Sequence, residues 1–345
     1  MEKKKHPVLK GIAITLLVLL LLLLILAAVG FFLANSMFDK LDRTEITGDE
    51  NLAEEEVYEE PTVDVTDSVE HIQEAEDEFE QIQQISPLEN ANLTNILLIG
   101  SDRRGTGENG RSDSMILVTL NHDTGNIHLT SFMRAMYVCI PKSSGDTWGM
   151  LNASYSWGGP QLLIKTIENN FRIDIDNYVM VDIKAFEKAV DILGGVEMTL
   201  TASEAVYVVN DSGVPTSSGK QTLNGAQTRA YCQIRKADND FKRTERQRKV
   251  IIALMQKALN SDLERIMELA NHLLPLVKTD MTNSDIFTYA AKALPMLQNP
   301  ITQRMLPIEN EAGKSYTGRI YVNGREMYKV DFETNIKALH EFMLS

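Results

Sequence analysis

The hydrophobic residues of this chain form one long block near the N-terminus and many short blocks after residue 92. The long block, Gly11–Ala34, is 24 residues without a charge. As a helix rising about 1.5 Å per residue it is roughly 36 Å long, enough to cross a hydrocarbon core of about 30 Å. A cleaved signal peptide is the alternative, because small residues occur at Leu33–Ser36. The apolar region of a signal peptide spans only about 7–15 residues, so the pattern favours an uncleaved transmembrane helix over 11–34.

The charges that flank this block predict its orientation. Lys3, Lys4, Lys5 and Lys10 precede it, and positive charges accumulate on the cytoplasmic side of a membrane span. Residues 1–10 are therefore predicted to be a cytoplasmic tail. The chain after the span is predicted to lie on the outer side of the membrane, which the protein crosses once.

The segment that follows is strongly acidic. Residues 45–89 contain 17 acidic residues and no basic one, whereas the chain from residue 92 has 28 of each. Such a composition buries too little apolar surface to offset the entropy of ordering, so residues 35–91 are predicted to form a largely disordered extracytoplasmic linker. A helix over 68–85 is the alternative, because apolar residues there recur at three- and four-residue spacing: Val69, Ile72, Ala75, Phe79 and Ile82.

Residues 92–345 alternate between strand-like and helix-like patterns. The predicted strands are Asn95–Gly100, Ser114–Leu120, Asn126–Phe132, Tyr178–Val181, Val196–Leu200, Ala230–Arg235 and Arg319–Val322. The predicted helices are Gly159–Phe171, Ile183–Ile192, Thr244–Asn260, Asp262–Val277, Asn283–Leu297 and Glu333–Met343. This alternation predicts an α/β fold, a three-layer α/β/α domain around a mixed central sheet.

Two carboxylates flank the turn between the first two strands. Asp102 follows one buried strand, and Asp113 opens the next. Ligands bind at strand ends in α/β sheets, and carboxylates suit Mg²⁺. Turn-forming Asp–Arg salt bridges are the structural alternative for these residues.

Basic residues concentrate between positions 229 and 249. The eight are Arg229, Arg235, Lys236, Lys242, Arg243, Arg246, Arg248 and Lys249. Bases at a helix N-terminus oppose the macrodipole unless an anion is bound there. Arg243 and Gln247 precede Val250 and Leu254 on one helical row and so point towards the core, where a guanidinium suits bidentate phosphate binding.

Six sequence blocks in this order resemble the LytR-CpsA-Psr family of cell-envelope proteins. The blocks are Leu98–Arg104, Arg111–Met115, Leu129–Arg134, Leu151–Pro160, Asp191–Val196, and Tyr231–Arg235 followed by Asp238–Arg248. They give a motif core of 95–259 and a C-terminal extension of 260–345.

The resemblance implies a phosphotransferase that moves a glycopolymer from an undecaprenyl-diphosphate carrier in the lipid bilayer to peptidoglycan, assisted by Mg²⁺ or Mn²⁺. By position, it implies that Asp102 and Asp113 bind the metal and act in catalysis together with Arg134. The residues implied to bind the diphosphate are Arg104, Arg111, Arg134, Arg235, Arg243 and Gln247. Slow hydrolysis that releases the lipid phosphate is an expected side activity.

Three positions depart from the family pattern and leave a second function open. Ala135 replaces an Asp, Met150 replaces a Lys or similar residue, and Gln233 replaces an Arg. The alternative is a non-catalytic binder of prenyl-diphosphate intermediates or envelope polymer with a role in envelope regulation. Direct nucleic-acid binding is not expected, because only about ten residues face the cytoplasm.

Cys139 and Cys232 are the only cysteines, and both fall on predicted strands outside the cytoplasm. A disulfide is one interpretation, since thiols oxidise there. Two buried free thiols are the other and the favoured one.

The membrane topology is directly testable. A reporter fused after residue 90 is expected to be active only outside the cytoplasm, while the mature protein keeps its own N-terminus. Alkaline phosphatase activity and N-terminal sequencing measure the two properties. Recovery of the chain from the medium with a new N-terminus at Asn35 or Met37 would reject the anchor.

Overall fold

The computed structural model describes residues 38–43, 73–74, 77–101, 112–234, 260–308, 317–322 and 325–345, with residues 246, 249–250, 253–254 and 257–258. The chain divides into two compact units. Unit 1 comprises Met1–Thr44 and Val179–Gln298, and unit 2 comprises Glu45–Tyr178 and Asn299–Ser345. Both units contain strands and helices, which confirms the α/β class.

Unit 2 is built on a mixed sheet of four strands. In spatial order these are β2 (Leu93–Ser101), β3 (Ser112–Asn121), β4 (Asn126–Phe132) and β11 (Thr302–Leu306). The first three pair antiparallel, and β11 pairs parallel with β4. Ile96, Leu97, Leu98 and Ile99 are all 0% exposed, and such a continuous apolar run is typical of a strand buried on both faces.

Two long helices and two hairpins lie beside this sheet in the described part of unit 2. The helices are α1 (Leu151–Phe171) and α7 (Phe332–Leu344). The hairpins are β5 (Tyr137–Ile140) with β6 (Thr147–Met150), and β12 (Thr317–Val322) with β13 (Arg325–Val330). α1 begins eight residues before the predicted start at Gly159, because Gly158 and Gly159 form a kink inside it. Gly159 has a φ of 63°, which other residues rarely adopt, and Pro160 then starts the straight part.

Unit 1 contains a three-stranded sheet, a hairpin and five helices whose bounds are fully described. β10 (Val277–Thr279) pairs antiparallel with β7 (Asn177–Asp182) and parallel with β1 (Asp42–Arg43). β8 (Val196–Leu200) and β9 (Gly219–Leu223) form the hairpin. The helices are α2 (Ile183–Ile192), α3 (Ala202–Ser212), α4 (Gly225–Gln233), α5 (Leu263–Leu273) and α6 (Asn283–Met296).

Two predicted elements of unit 1 are wrong. Residues 230–233 of the segment predicted as a strand belong to α4, because the Asn224 side chain accepts from the Gln227 N–H and the Gln227 side chain accepts from the Asn224 N–H. This reciprocal capping box starts a helix. The helix predicted over Asp262–Val277 ends at Leu273, since Pro275 cannot continue the α-helical ladder and a short 3₁₀ turn leads into β10.

Parts of the predicted linker have defined structure. Residues 73–74 and 77–82 are helical, within the helix that the apolar spacing over 68–85 predicts. The ring of Phe79 packs edge-on against Trp148 with centroids 5.8 Å apart, and Lys329 forms ion pairs with Glu74 and Glu78. This end of the acidic segment is therefore packed into unit 2.

The predicted transmembrane segment Gly11–Ala34 lies outside the described residues. Within the described ranges, no helix is long and apolar enough to cross a membrane.

A group of carboxylates surrounds the turn after α1. Glu168 accepts the Ile175 N–H at 2.9 Å, and Asp176 accepts the Asn95 N–H at 2.6 Å. Burial, followed by the nearby charges of Asp174 and Asp176, raises the pKa of Glu168 from its ordinary value of 4.5 to about 7, against the lowering effect of the Ile175 hydrogen bond and Lys165. The folded protein therefore holds a proton on Glu168 that the unfolded chain releases near pH 4.5.

This proton linkage predicts a pH-dependent effect of Glu168→Gln. Because the folded pKa is raised, wild-type stability falls as pH rises from about 4.5 through about 7. The amide keeps an acceptor for Ile175 without the charge. We expect the variant to match wild type at pH 4 and exceed it by about 2 kcal/mol at pH 8, after allowance for partial solvent exposure.

Urea unfolding of the full chain in detergent at both pH values measures this effect. Glu341→Gln, an exposed residue of α7, controls for the change in net charge. An equal difference at pH 4 and pH 8 would show that the substitution acts through packing and not through ionisation.

Candidate functional site

Four strands of unit 2 begin or end at the same end of the sheet. Ile99 of β2, Met115 of β3 and Phe132 of β4 lie in one row across the strands, and Leu306 of β11 pairs with Phe132. β2 ends, β3 begins, and β4 and β11 end within a few residues of this row. The backbone of Asp113 and the turn containing Arg134 therefore lie at the same sheet end.

A β-bulge in β3 contains Asp113. Gly100 pairs with Ser114 and Ser101 pairs with Ser112, with a register shift between them. Asp113 consequently has no partner residue in β2. Bulges redirect side chains and recur next to active sites.

Gly100 has a steric role in this bulge. A Cβ at residue 100 would lie 3.1 Å from the Cβ of Ser114, which is too close for an ordinary side-chain contact. The glycine that ends the apolar run of β2 therefore permits the close pairing with β3 beside Asp113.

The hydroxyl of Ser114 adds a buried polar atom to this sheet end. Its Oγ is buried and, within the described part of the chain, has no hydrogen-bond partner. A buried hydroxyl without a partner costs about 1–3 kcal/mol. An oxygen held at this cost next to Asp113 fits a site that receives a polar ligand or a hydrated cation.

The turn with Arg134 is held by main-chain hydrogen bonds. The carbonyl of Arg134 accepts the Asn152 N–H at 3.1 Å, and that of Ala135 accepts the Tyr328 N–H at 2.8 Å. The Met133 N–H donates to the Leu306 carbonyl at 2.9 Å. The turn is thereby joined to α1, β13 and β11, so the half-buried Arg134 extends from a fixed backbone.

Most of the predicted ligands lie outside the described residues. These are Asp102, Arg104, Arg111, Arg235, Arg243 and Gln247. For Asp113 the backbone is described and the side chain is not. The described residues contain no group of three or more His, Cys, Asp or Glu side chains that would hold a metal ion, so the metal pair Asp102 and Asp113 stays a prediction.

The helix predicted over Thr244–Asn260 is confirmed at the positions that are described. Residues 246, 249–250, 253–254 and 257–258 are helical, and Val250, Leu254 and Ala258 are buried. Their spacing of four residues identifies the inward-facing row. The sequence places Arg243 and Gln247 on the same side of a helix in this register.

Arg246 is a residue that the sequence pattern did not single out. Its side chain is only 3% exposed, its Nη2 donates to the Ile234 carbonyl at 2.7 Å, and its Nη1 lies 3.5 Å from Glu204 Oε1. It joins this helix to the end of α4 and the start of α3. The available signal was its position four residues before Val250, on the buried row.

The secondary structure around Gln233 differs from the predicted one. Gln233 is the last residue of α4 and not part of the predicted strand. Its Oε1 accepts from Arg229 Nη1 at 2.8 Å, and Arg229 also binds Glu187 and Asp211 at 2.6 Å each. Arg229 therefore joins α2, α3 and α4, and Gln233 is one of its acceptors.

Both cysteines are buried free thiols, which confirms the favoured interpretation. Cys139 lies in β5, whereas Cys232 lies in α4 and not in the predicted strand. Burial raises the pKa of Cys232 to about 12, although the charge of Arg246 opposes the shift. The Cys232 thiol is therefore protonated and unreactive near neutral pH.

Comparisons with known proteins identify relatives of this chain. The model of the LytR_cpsA_psr family matches residues 61–341. The chain is 33% identical over 204 residues to the polyisoprenyl-teichoic acid–peptidoglycan teichoic acid transferase TagU of Bacillus licheniformis, covering 58% of this chain and 64% of that protein. It is 27% identical over 261 residues to the regulatory protein MsrR of Staphylococcus aureus, covering 74% of this chain and 76% of MsrR.

A solved structure shares the fold. It is the LytR-CPS2A-psr family protein YwtF (TagT) with bound octaprenyl pyrophosphate lipid, similar at a TM-score of 0.53 and 21% identity over 76% of this chain and 93% of that one. At this identity the likeness shows the fold alone. The chain also spans less than two thirds of the TagU relative's length.

The Arg229–Gln233 contact generates a prediction about the stability of the fold. Gln233→Arg removes an acceptor and places a like charge one helical turn from Arg229, so we expect a loss of about 1 kcal/mol in the free energy of unfolding. Gln233→Glu keeps the acceptor and is the matched control, expected to be at least as stable as wild type. Thermal unfolding of both variants measures this, and a stabilised Gln233→Arg variant would contradict the contact.

Proposed function

Because the chain belongs to the LytR-CpsA-Psr family, we propose that it transfers a glycopolymer from an undecaprenyl-diphosphate carrier to peptidoglycan. The observation that carries the proposal is the sheet end of unit 2, where the bulge at Asp113 and the fixed turn of Arg134 adjoin the Ser114 hydroxyl, which has no hydrogen-bond partner among the described residues. The name of the TagU relative, a teichoic acid transferase, supports the reaction class. The octaprenyl pyrophosphate lipid bound to YwtF supports the donor class.

The chemistry asks little covalent participation from the protein. Phosphoryl transfer depends on in-line positioning and on neutralising the charge of the diphosphate oxygens. Arg134 extends from a rigid turn, so its guanidinium is suited to hold one phosphate in a constant place. Arg104, Arg111, Arg235, Arg243 and Gln247 are proposed to hold the remaining oxygens.

The proposal includes a divalent cation at this site. Asp102 and Asp113 would hold Mg²⁺ or Mn²⁺ through carboxylate oxygens, the ligands that such hard cations prefer. When bound, the cation supplies charge neutralisation at the diphosphate and polarises its oxygens. A carboxylate at this place is also suited to accept the proton of the acceptor hydroxyl.

The same proposal includes the location. A donor carried by a prenyl chain is confined to the bilayer, and an acceptor in peptidoglycan lies outside it. A transmembrane helix over Gly11–Ala34, with the N-terminus in the cytoplasm, brings the folded units to the compartment where both substrates meet.

A second candidate function is a non-catalytic binder of prenyl-diphosphate intermediates with a role in envelope regulation. It is favoured by Ala135, which stands where the family has Asp, and by the name of the regulatory relative MsrR. Gln233 does not support it, because its amide is engaged by Arg229. A binder would retain affinity for the lipid diphosphate and show no transfer.

The metal-pair assignment predicts the effect of two substitutions. Asp102→Asn and Asp113→Asn are each expected to lower transfer by about a hundredfold or more, because charge stabilisation at the diphosphate is lost. Each is expected to change the free energy of unfolding by no more than about 1 kcal/mol. Transfer is measured with the full chain in vesicles, a lipid-diphosphate-linked sugar and peptidoglycan fragments, with and without chelator.

Asp146→Asn is the matched control, because it removes an exposed carboxylate of the same unit. It should retain full transfer. Metal-dependent transfer by either site variant, or the unfolding of either, would support the salt-bridge interpretation instead. Lipid-diphosphate binding by wild type without any transfer would support the binder.

A further inference from the structure

The short segment after the predicted transmembrane helix is built into unit 1. Phe38 is 0% exposed and Leu41 is 7% exposed. The ring of Phe38 packs edge-on against Phe287 of α6, with centroids 5.3 Å apart and planes at 65°. Phe38 and Leu41 therefore belong to the core of unit 1. In the sequence they are separated from the rest of unit 1, Val179–Gln298, by the first part of unit 2, Glu45–Tyr178.

The backbone and polar side chains of this segment are also engaged. β1 pairs parallel with β10, with Asp42 opposite Lys278, and the Lys278 ammonium lies 2.9 Å from the Asp42 carboxylate. Arg43 donates from Nε to the Met281 carbonyl at 3.1 Å, and Lys40 donates to the Asn271 side chain at 2.9 Å. Apolar, main-chain and polar contacts thus coincide over six residues.

The chain between the predicted span and this docked segment is very short. Four residue steps separate Ala34 from Phe38, which fully extended reach at most about 14 Å. The acidic stretch 45–89 begins only after β1. A chain docked at 38–43 therefore leaves no room for the acidic stretch to act between the membrane and unit 1.

We propose that unit 1 sits directly at the outer surface of the lipid bilayer, held there by the docked segment 38–43. The proposal rests on the proposed membrane anchor. The acidic stretch then connects β1 of unit 1 to the helical residues 77–82 of unit 2 along the chain. This arrangement gives unit 1 the depth at which a prenyl diphosphate presents its charged group.

The test compares one insertion at two places. A 20-residue Gly/Ser segment, with a root-mean-square length of about 25 Å, is inserted either between Asn35 and Ser36 or after Glu55. Full chains are reconstituted in nanodiscs that contain an acceptor-labelled lipid. A donor dye on Lys292→Cys, an exposed position of α6, reports distance by energy transfer, and the two native thiols are buried.

Docking of segment 38–43 on unit 1 predicts different results for the two insertions. The insert before Phe38 should lower energy transfer clearly, because it lengthens the tether, and the insert after Glu55 should leave it unchanged. If the acidic stretch is the spacer, both inserts lower energy transfer equally, and that result would overturn the docking. Failure of the wild-type chain to float with lipid vesicles would overturn the anchor itself.

A point substitution provides an independent arm. Phe38→Asp should release the segment and lower energy transfer as the first insert does. Val206→Asp makes the same chemical change at a residue of unit 1 that is 59% exposed, and it should have no effect. Unchanged energy transfer in a folded Phe38→Asp variant would also overturn the docking.

Discussion

The pairing register of β2 and β3 is the constraint on which the candidate site depends. Both strands are apolar on both faces, so alternation of polar and apolar residues does not by itself fix how they pair. Two local contacts do so. At one end the Thr119 hydroxyl donates to the Asn95 side chain at 2.8 Å inside the core, and at the other end Gly100 leaves room for the close approach of Ser114. In this register Asp113 is the residue of β3 that has no pairing partner in β2.

The sequence predicted well those elements in which one pattern of apolar residues runs from the first residue to the last. Asn126–Phe132, Ile183–Ile192 and Val196–Leu200 have the predicted bounds in the structure, because one alternation or one helical stripe covers each of them. It failed at 230–233, where the residues themselves look strand-like and the helix is fixed by a capping box six residues earlier. It also missed the bulge at Asp113, since a register shift is a property of two paired strands and neither strand shows it alone.

Composition alone does not distinguish structural from ligand-binding roles among the basic residues between 229 and 249. The guanidinium groups of Arg229 and Arg246 are engaged by carboxylates and carbonyls of neighbouring helices. They position the helices of unit 1, whereas Arg235 and Arg243 are left as the candidates for a phosphate. Sequence alone gives all eight the same charge and does not distinguish Arg229 and Arg246, which are engaged by neighbouring helices, from the rest.

The two buried thiols have a consequence for how this protein matures. Neither half of the fold is closed by a covalent cross-link, since Cys139 and Cys232 are both free. A chain that folds outside the cytoplasm, as we propose, would then complete its structure without a thiol oxidase or a disulfide isomerase. Its production would be insensitive to the redox state of the envelope, and the small volume and low reactivity of both sulfurs make them part of the hydrophobic core.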